Sequence, residues 1–167
     1  MTNIPTQTMT LTNPTSVLTR PANTTAYAVG NLIASSTTAG SVAVPSFTVA
    51  AGAAITALRL VTNKTSGWSG VQLSVRLWTT APTFTNGDGG AYAVATGAAG
   101  YIGTFLFSLI QFGDGAAERG TVNLGGIIWE KLASGLLVYW DLQINTVATP
   151  ASAQTFTLTA ETASIPT

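Results

Sequence analysis

Chemistry in this chain has to come from carboxylates. Its 167 residues include no histidine and no cysteine, so the Ser-His and Cys-His arrangements that activate a nucleophile lack their base or thiol. The common zinc sites are excluded for the same reason. What remains is a pair of acids working as in glycoside hydrolysis, which needs two carboxyls at a defined separation and one of them with a raised pKa. Asp114 and Glu118 are close in sequence, and Asp88 and Asp141 are a pair that folding can bring together. Most of the six acids stand beside glycine or a basic residue, which reads as turn and surface. The expectation is a non-enzymatic protein with no catalytic, cofactor-binding or metal-binding residues. Asn86-Gly87-Asp88-Gly89 has a faint likeness to a calcium loop but lacks the acidic ligands that set calcium affinity. It reads as a tight turn. Gly87 to Gly90 lacks the Lys and the following helix of a phosphate loop.

Aromatic side chains are the other source of chemistry. Trp140 lies on an inward face and reads as core, and Trp129 as core or interface. Trp68 sits in the turn Ser66-Gly67-Trp68-Ser69-Gly70, and Trp78 faces away from Val71, Leu73 and Val75. An exposed Trp pair on a β-sandwich is a platform for stacking sugars, so carbohydrate binding is one reading. The other is that both rings are covered by loops or by a neighbouring subunit, since Trp is enriched at interfaces.

The charge count favours cover. Only 7% of residues are charged, against about 25% in ordinary soluble domains. Thr, Ser, Asn and Gly take the place of charges, and a neutral surface is prone to associate. Six basic and six acidic residues balance to zero, which argues against nucleic acid as partner. No targeting segment is expected at the N-terminus. Residues Ala91 to Phe112 run without a charge, but Gly97, Gly100 and Gly103 interrupt them and Tyr101 to Phe112 alternates like a strand. No membrane span is expected.

The elements that must position these residues are strands. Met1 to Thr19 is rich in Thr, Asn and Pro and too poor in apolar residues to order itself. Residues 1–18 therefore read as an extended or flexible arm and 19–167 as one domain. Within the arm, Ile4, Met9 and Leu11 are candidates to order against a partner by strand addition. Period-two alternation marks Val42 to Val49, Ile55 to Thr62, Val71 to Trp78, Tyr101 to Phe112, Thr121 to Trp129, Gly135 to Ile144 and Gln154 to Glu161. Single turns of helix fit Asp114 to Arg119 and Glu130 to Ser134. About eight short strands with Gly, Pro, Asn and Ser turns make an all-β, single antiparallel sandwich. A jelly roll and an immunoglobulin-like sandwich both fit that pattern.

A set of motifs narrows the choice. The stretch Arg20-Pro21-Ala22-Asn23-Thr24-Thr25-Ala26-Tyr27-Ala28-Val29-Gly30 combines a proline-fixed turn, a large ring and a glycine bend. Leu77 to Tyr92 holds a strand end, an Ala81-Pro82-Thr83 loop and Asp88 followed by an aromatic. Tyr101-Ile102-Gly103-Thr104-Phe105, Gly135 to Val138 and Thr149 to Leu158 complete the series. In this order and spacing the motifs resemble those of a family of small tailed-bacteriophage proteins, whose members of known role are head decoration (cement) proteins. The turn Val94 to Gly100 departs from the family by being less polar and less helix-prone. The resemblance implies a jelly roll, a homotrimer, and the major capsid protein as partner on the virion surface. Ile4, Met9, Leu11, Trp78 and Phe84 are then candidate capsid or subunit contacts, with neither nucleic acid nor membrane as partner. A carbohydrate-binding module or a tail or fibre component is the alternative role.

Overall fold

Alternation decides which side chains meet. Leu73, Val75 and Leu77 are fully buried, as are Val138, Trp140, Leu142 and Ile144, and Phe156, Leu158 and Ala160. In each segment every second residue turns into one shared core. The computed structural model describes residues 10–64, 66–96, 98–111, 119–128 and 136–164. Its strands are β1 (Leu11–Thr12), β2 (Thr15–Thr19), β3 (Leu32–Ile33), β4 (Ser46–Val49), β5 (Ala53–Thr62), β6 (Gln72–Trp78), β7 (Thr83–Phe84), β8 (Val94–Thr96), β9 (Tyr101–Ser108), β10 (Arg119–Ile128), β11 (Leu136–Ile144) and β12 (Thr155–Ser164).

Two antiparallel sheets enclose the core. One runs β2-β12-β5-β10, with β1 continuing the β2 edge; the other runs β4-β11-β6-β9, with β3 continuing the β4 edge. β7 and β8 pair separately. The four extra strands, β1, β3, β7 and β8, are only two or three residues long, so among the described residues twelve strands stand where about eight are expected. Number the remaining eight in chain order. The sheets then read one-eight-three-six and two-seven-four-five, which is the jelly-roll order. The expected Val42 to Val49 strand starts late, at Ser46 after Pro45, whose carbonyl accepts the Trp140 amide at 3.0 Å. Around Gly125-Gly126 the β10–β5 register shifts between Asn123 and Ile128, as a glycine pair in a strand suggests.

The structure revises part of the sequence reading. The sheet takes in part of the expected arm: Leu11–Thr12 and Thr15–Thr19 both pair with β12, and Leu18 is buried. Backbone hydrogen bonds along an edge order a segment whose side chains are mostly polar. Trp68 and Trp78 are covered, as the charge count favours, but the cover comes from this chain itself, within which both are buried. Phe84, read as a contact, is instead buried with Leu32 and Ala34 in a satellite cluster, against Val42, Val44, Tyr92 and Val94. Of the other contact candidates, Leu11 is exposed, while Ile4 and Met9 lie outside the described residues, as do Trp129 and most of the two suggested helical turns. Among the described residues no helix is long and apolar enough to cross a membrane.

Candidate functional site

Arg20, Tyr27 and Asp88 meet in one buried knot. Arg20 follows β2, Tyr27 lies seven residues on, and Asp88 comes from the β6–β9 connection. The Asp88 Oδ2 accepts Arg20 Nη2 at 2.7 Å, and Oδ1 accepts the Tyr27 hydroxyl at 2.6 Å and the Ala34 amide at 2.9 Å. Arg20 Nε also donates to the Tyr27 oxygen. The remaining guanidinium hydrogens reach Ala151 O at 3.2 Å and Asn23 Oδ1 at 3.2 Å. Both charged side chains are almost wholly out of solvent, at 0% and 1% exposure. Burial and the neighbouring Asp88 push the Tyr27 hydroxyl well above the usual phenol range, so it stays a donor.

Backbone fit draws the same connections together. The Asp88 amide donates to Ser36 O at 2.7 Å, and Leu32 and residues 89–90 exchange hydrogen bonds. A Cβ on Gly87 would stand 2.2 Å from the carbonyl carbon and oxygen of Thr37. Glycine is therefore required there for close approach of two backbones. Beneath the knot, Trp68 packs edge-on to Tyr27 and against Phe156. Its indole nitrogen donates to Thr149 O at 2.9 Å, so the ring closes the core under the loops.

A second acid lies on the outer face of the β4-β11-β6-β9 sheet. Asp141 of β11 stands opposite Arg76 of β6, where alternation sends both away from the core. The chain between β6 and β9 returns over them. Tyr92 donates its hydroxyl to Asp141 Oδ2 at 3.1 Å, and its ring lies 3.9 Å from the Arg76 guanidinium carbon. Trp78 Nε1 donates to the same oxygen at 2.6 Å, and Arg76 Nη2 reaches Gln143 Oε1 at 2.5 Å. Alternation thus puts Trp78 on the outward face, but Tyr92 and Tyr101 then roof that face.

Asp88 and Asp141 are thus held in separate networks, each with its own arginine and tyrosine. Neither carboxylate opens to solvent as an acid or base awaiting a substrate. Of the other acids, Glu161 faces Arg59 across the surface at 3.9 Å. Asp114, Glu118 and Glu130 lie outside the described residues. Among the described residues no three acids gather as metal ligands. The partner sets of Arg20 and Asp141 were missed by sequence reading. One signal was present: in a chain with so few charges, an arginine or aspartate inside an apolar stretch needs a partner.

Asp141 makes a testable electrostatic contribution. Burial lifts its carboxyl from 3.8 to about 6, against the opposing effects of Trp78, Arg76 and Tyr92. Burial wins because the Arg76 Nη1 contact to Oδ1 is long, 3.7 Å, and Oδ1 has no hydrogen bond. The folded chain therefore keeps a proton that the unfolded chain has released between pH 4 and 6. Stability from this group is full below pH 4 and falls as pH rises through 6, by roughly 3 kcal/mol in all. Asp141→Asn should flatten the pH dependence of the urea-derived folding free energy across that window. An unchanged slope would mean that the carboxyl titrates alike in both states.

No family model matches this chain, no curated protein matches it, and no solved structure matches it.

Proposed function

We propose that this protein is a virion structural subunit that decorates the outside of a tailed-phage head and stabilises it by bridging capsid subunits. The observation that carries this reading is the Arg20–Tyr27–Asp88 knot. Arg20 and Tyr27 belong to the opening motif of the resemblance and Asp88 to its second. Residues far apart in sequence, singled out for likeness alone, act together to hold the loops at one end of a jelly roll. The low charge fits a subunit whose surface is spent against neighbours. A rigid homo-oligomer, a trimer by the resemblance, touches several capsid subunits at once. Modest contacts then add through effective concentration. The knot's role is to keep the loops rigid, so that little ordering entropy opposes binding. The sugar-binding alternative loses its basis, since it rested on an exposed Trp68 and Trp78.

The reading is tested on phage shells that lack the protein. Added protein should saturate them at a fixed ratio to the major capsid protein, lie on the outer surface in a reconstruction, and raise the temperature at which shells break. Shells that bind none, or density placed only on the tail, would overturn it.

A further inference from the structure

Among the described residues, the last strand of the second sheet has a strand paired on one side only. β9 pairs with β6 on one side. On its other side no described strand is paired with it; β10 approaches its Ser108 end, where Arg119 bridges Ile110 and a Cβ on Gly120 would stand 3.0 Å from Ser108 O. Long edge strands in monomers are usually blunted by lysine, proline or cover. The eight residues of β9, Tyr101-Ile-Gly-Thr-Phe-Leu-Phe-Ser, contain no charge and no proline. Leu106 is 68% and Tyr101 49% exposed, and Ile110 just beyond is 58% exposed. A concavity of about 180 Å³ lies beside Gln72, Leu106, Phe107 and Ser108.

Residues 1–9, Met-Thr-Asn-Ile-Pro-Thr-Gln-Thr-Met, suit this edge. They carry no charged side chain to desolvate, and they offer Ile4 and Met9. Pro5 is tolerated in a terminal strand if its missing N–H faces away from β9, where it also discourages a further strand from adding. The segment cannot lie along β9 of its own chain. Thr10 is fixed at Ser164 of β12, on the β1 and β2 side of the first sheet. β9 is at the opposite side of the second sheet. Three strand spacings and one sheet separation put them roughly 17 Å apart. Crossing that gap uses about five residues of extended chain, leaving too few to pair along the edge. A second copy has no such limit.

We propose that residues 1–9 of one copy add as a strand to the β9 edge of another. Donor and acceptor surfaces differ, so the contact is heterologous and closes into a ring when the rotation allows. This deepens the oligomer part of the reading above but does not depend on the capsid, and its test uses none.

Two variants are compared by sedimentation at micromolar concentration. One lacks residues 1–9; the other is the full chain with Leu106→Lys, which puts a charge on the exposed edge. Wild type should be an oligomer of the 17.0 kDa chain, and each variant alone a monomer. Mixed, they should form a one-to-one dimer, because one supplies an intact edge and the other an intact arm. Should Leu106→Lys lose the wild-type circular dichroism, Ser108→Lys takes its place. A monomeric wild type, a truncated chain that associates as wild type does, or a mixture that stays monomeric would each overturn the proposal. The second of these would point to edge-to-edge pairing of β9 with itself.

Discussion

Replacing Asp88 by alanine should destabilise the fold by about 3–5 kcal/mol, the range for removing one partner of a buried ion pair. The loss has a clear origin. The Arg20 side chain is fully buried, with Asp88 as its ion-pair partner. Without Asp88 its guanidinium retains carbonyl and amide acceptors from Ala151 and Asn23 but no counter-charge. The Tyr27 hydroxyl and the Ala34 amide lose an acceptor at the same time. A domain of this kind has about 5–15 kcal/mol in total, so the variant should melt far below wild type or fail to fold. Urea titration would measure it. Removing both charges, as in Arg20→Met with Asp88→Leu, should recover part of the loss, because neither group is then left alone. A single alanine variant within 1 kcal/mol of wild type would mean that water reaches Arg20, and the knot would not be what rigidifies the loops.

The parts of this fold legible in sequence are those governed by neighbours two residues apart. Val75 and Leu77, Trp140 and Leu142, and Phe156 and Leu158 announce their strands because one face is buried and the pattern repeats. The sheet order was not in that pattern. It became an expectation only through resemblance, and the pairing of β12 with both β2 and β5 then carries it. Trp78 marks the limit of alternation: the pattern says which face a side chain takes, not what covers it. The cover comes from Tyr92 and Tyr101, residues on a long connection whose path depends on distant contacts. Gly87 was legible as a turn glycine, but its need for space against Thr37 is visible only in three dimensions. Asp88 and Asp141 were read as a pair that folding can bring together, and the fold instead holds them in separate networks. Their arginine and tyrosine partners lie dozens of residues away, and no local pattern names them.

The N-terminal strand carries the other large effect. Deleting residues 1–19 should abolish cooperative folding, whereas deleting residues 1–9 should leave the body folded. The difference lies in backbone pairing that composition hides. In β2 the exposed residues are Thr15, Val17 and Thr19; Ser16 and Leu18 share the other face and only Leu18 is apolar there, so the apolar pattern is too short to read as a strand. Yet five residues of β2 are in register with Thr155–Thr159 of β12. Their removal turns β12 from an inner strand into an edge and strips its outward backbone groups of partners. It also uncovers the core beside Leu18, whose own burial contributes about 1.5–3 kcal/mol. The Ala160 amide loses Pro14 O, and the Ser164 amide loses Thr10 O. The sum exceeds about 5 kcal/mol, a large part of what a domain of this size has. Residues from Thr10 onward keep every one of these bonds, so the shorter truncation should retain wild-type circular dichroism and a sharp melt when monomeric. The longer truncation should be insoluble or show no sharp melt. If it melts cooperatively within a few degrees of the shorter one, β2 is a dispensable edge. Residues 10–19 would then join 1–9 as chain available to a partner.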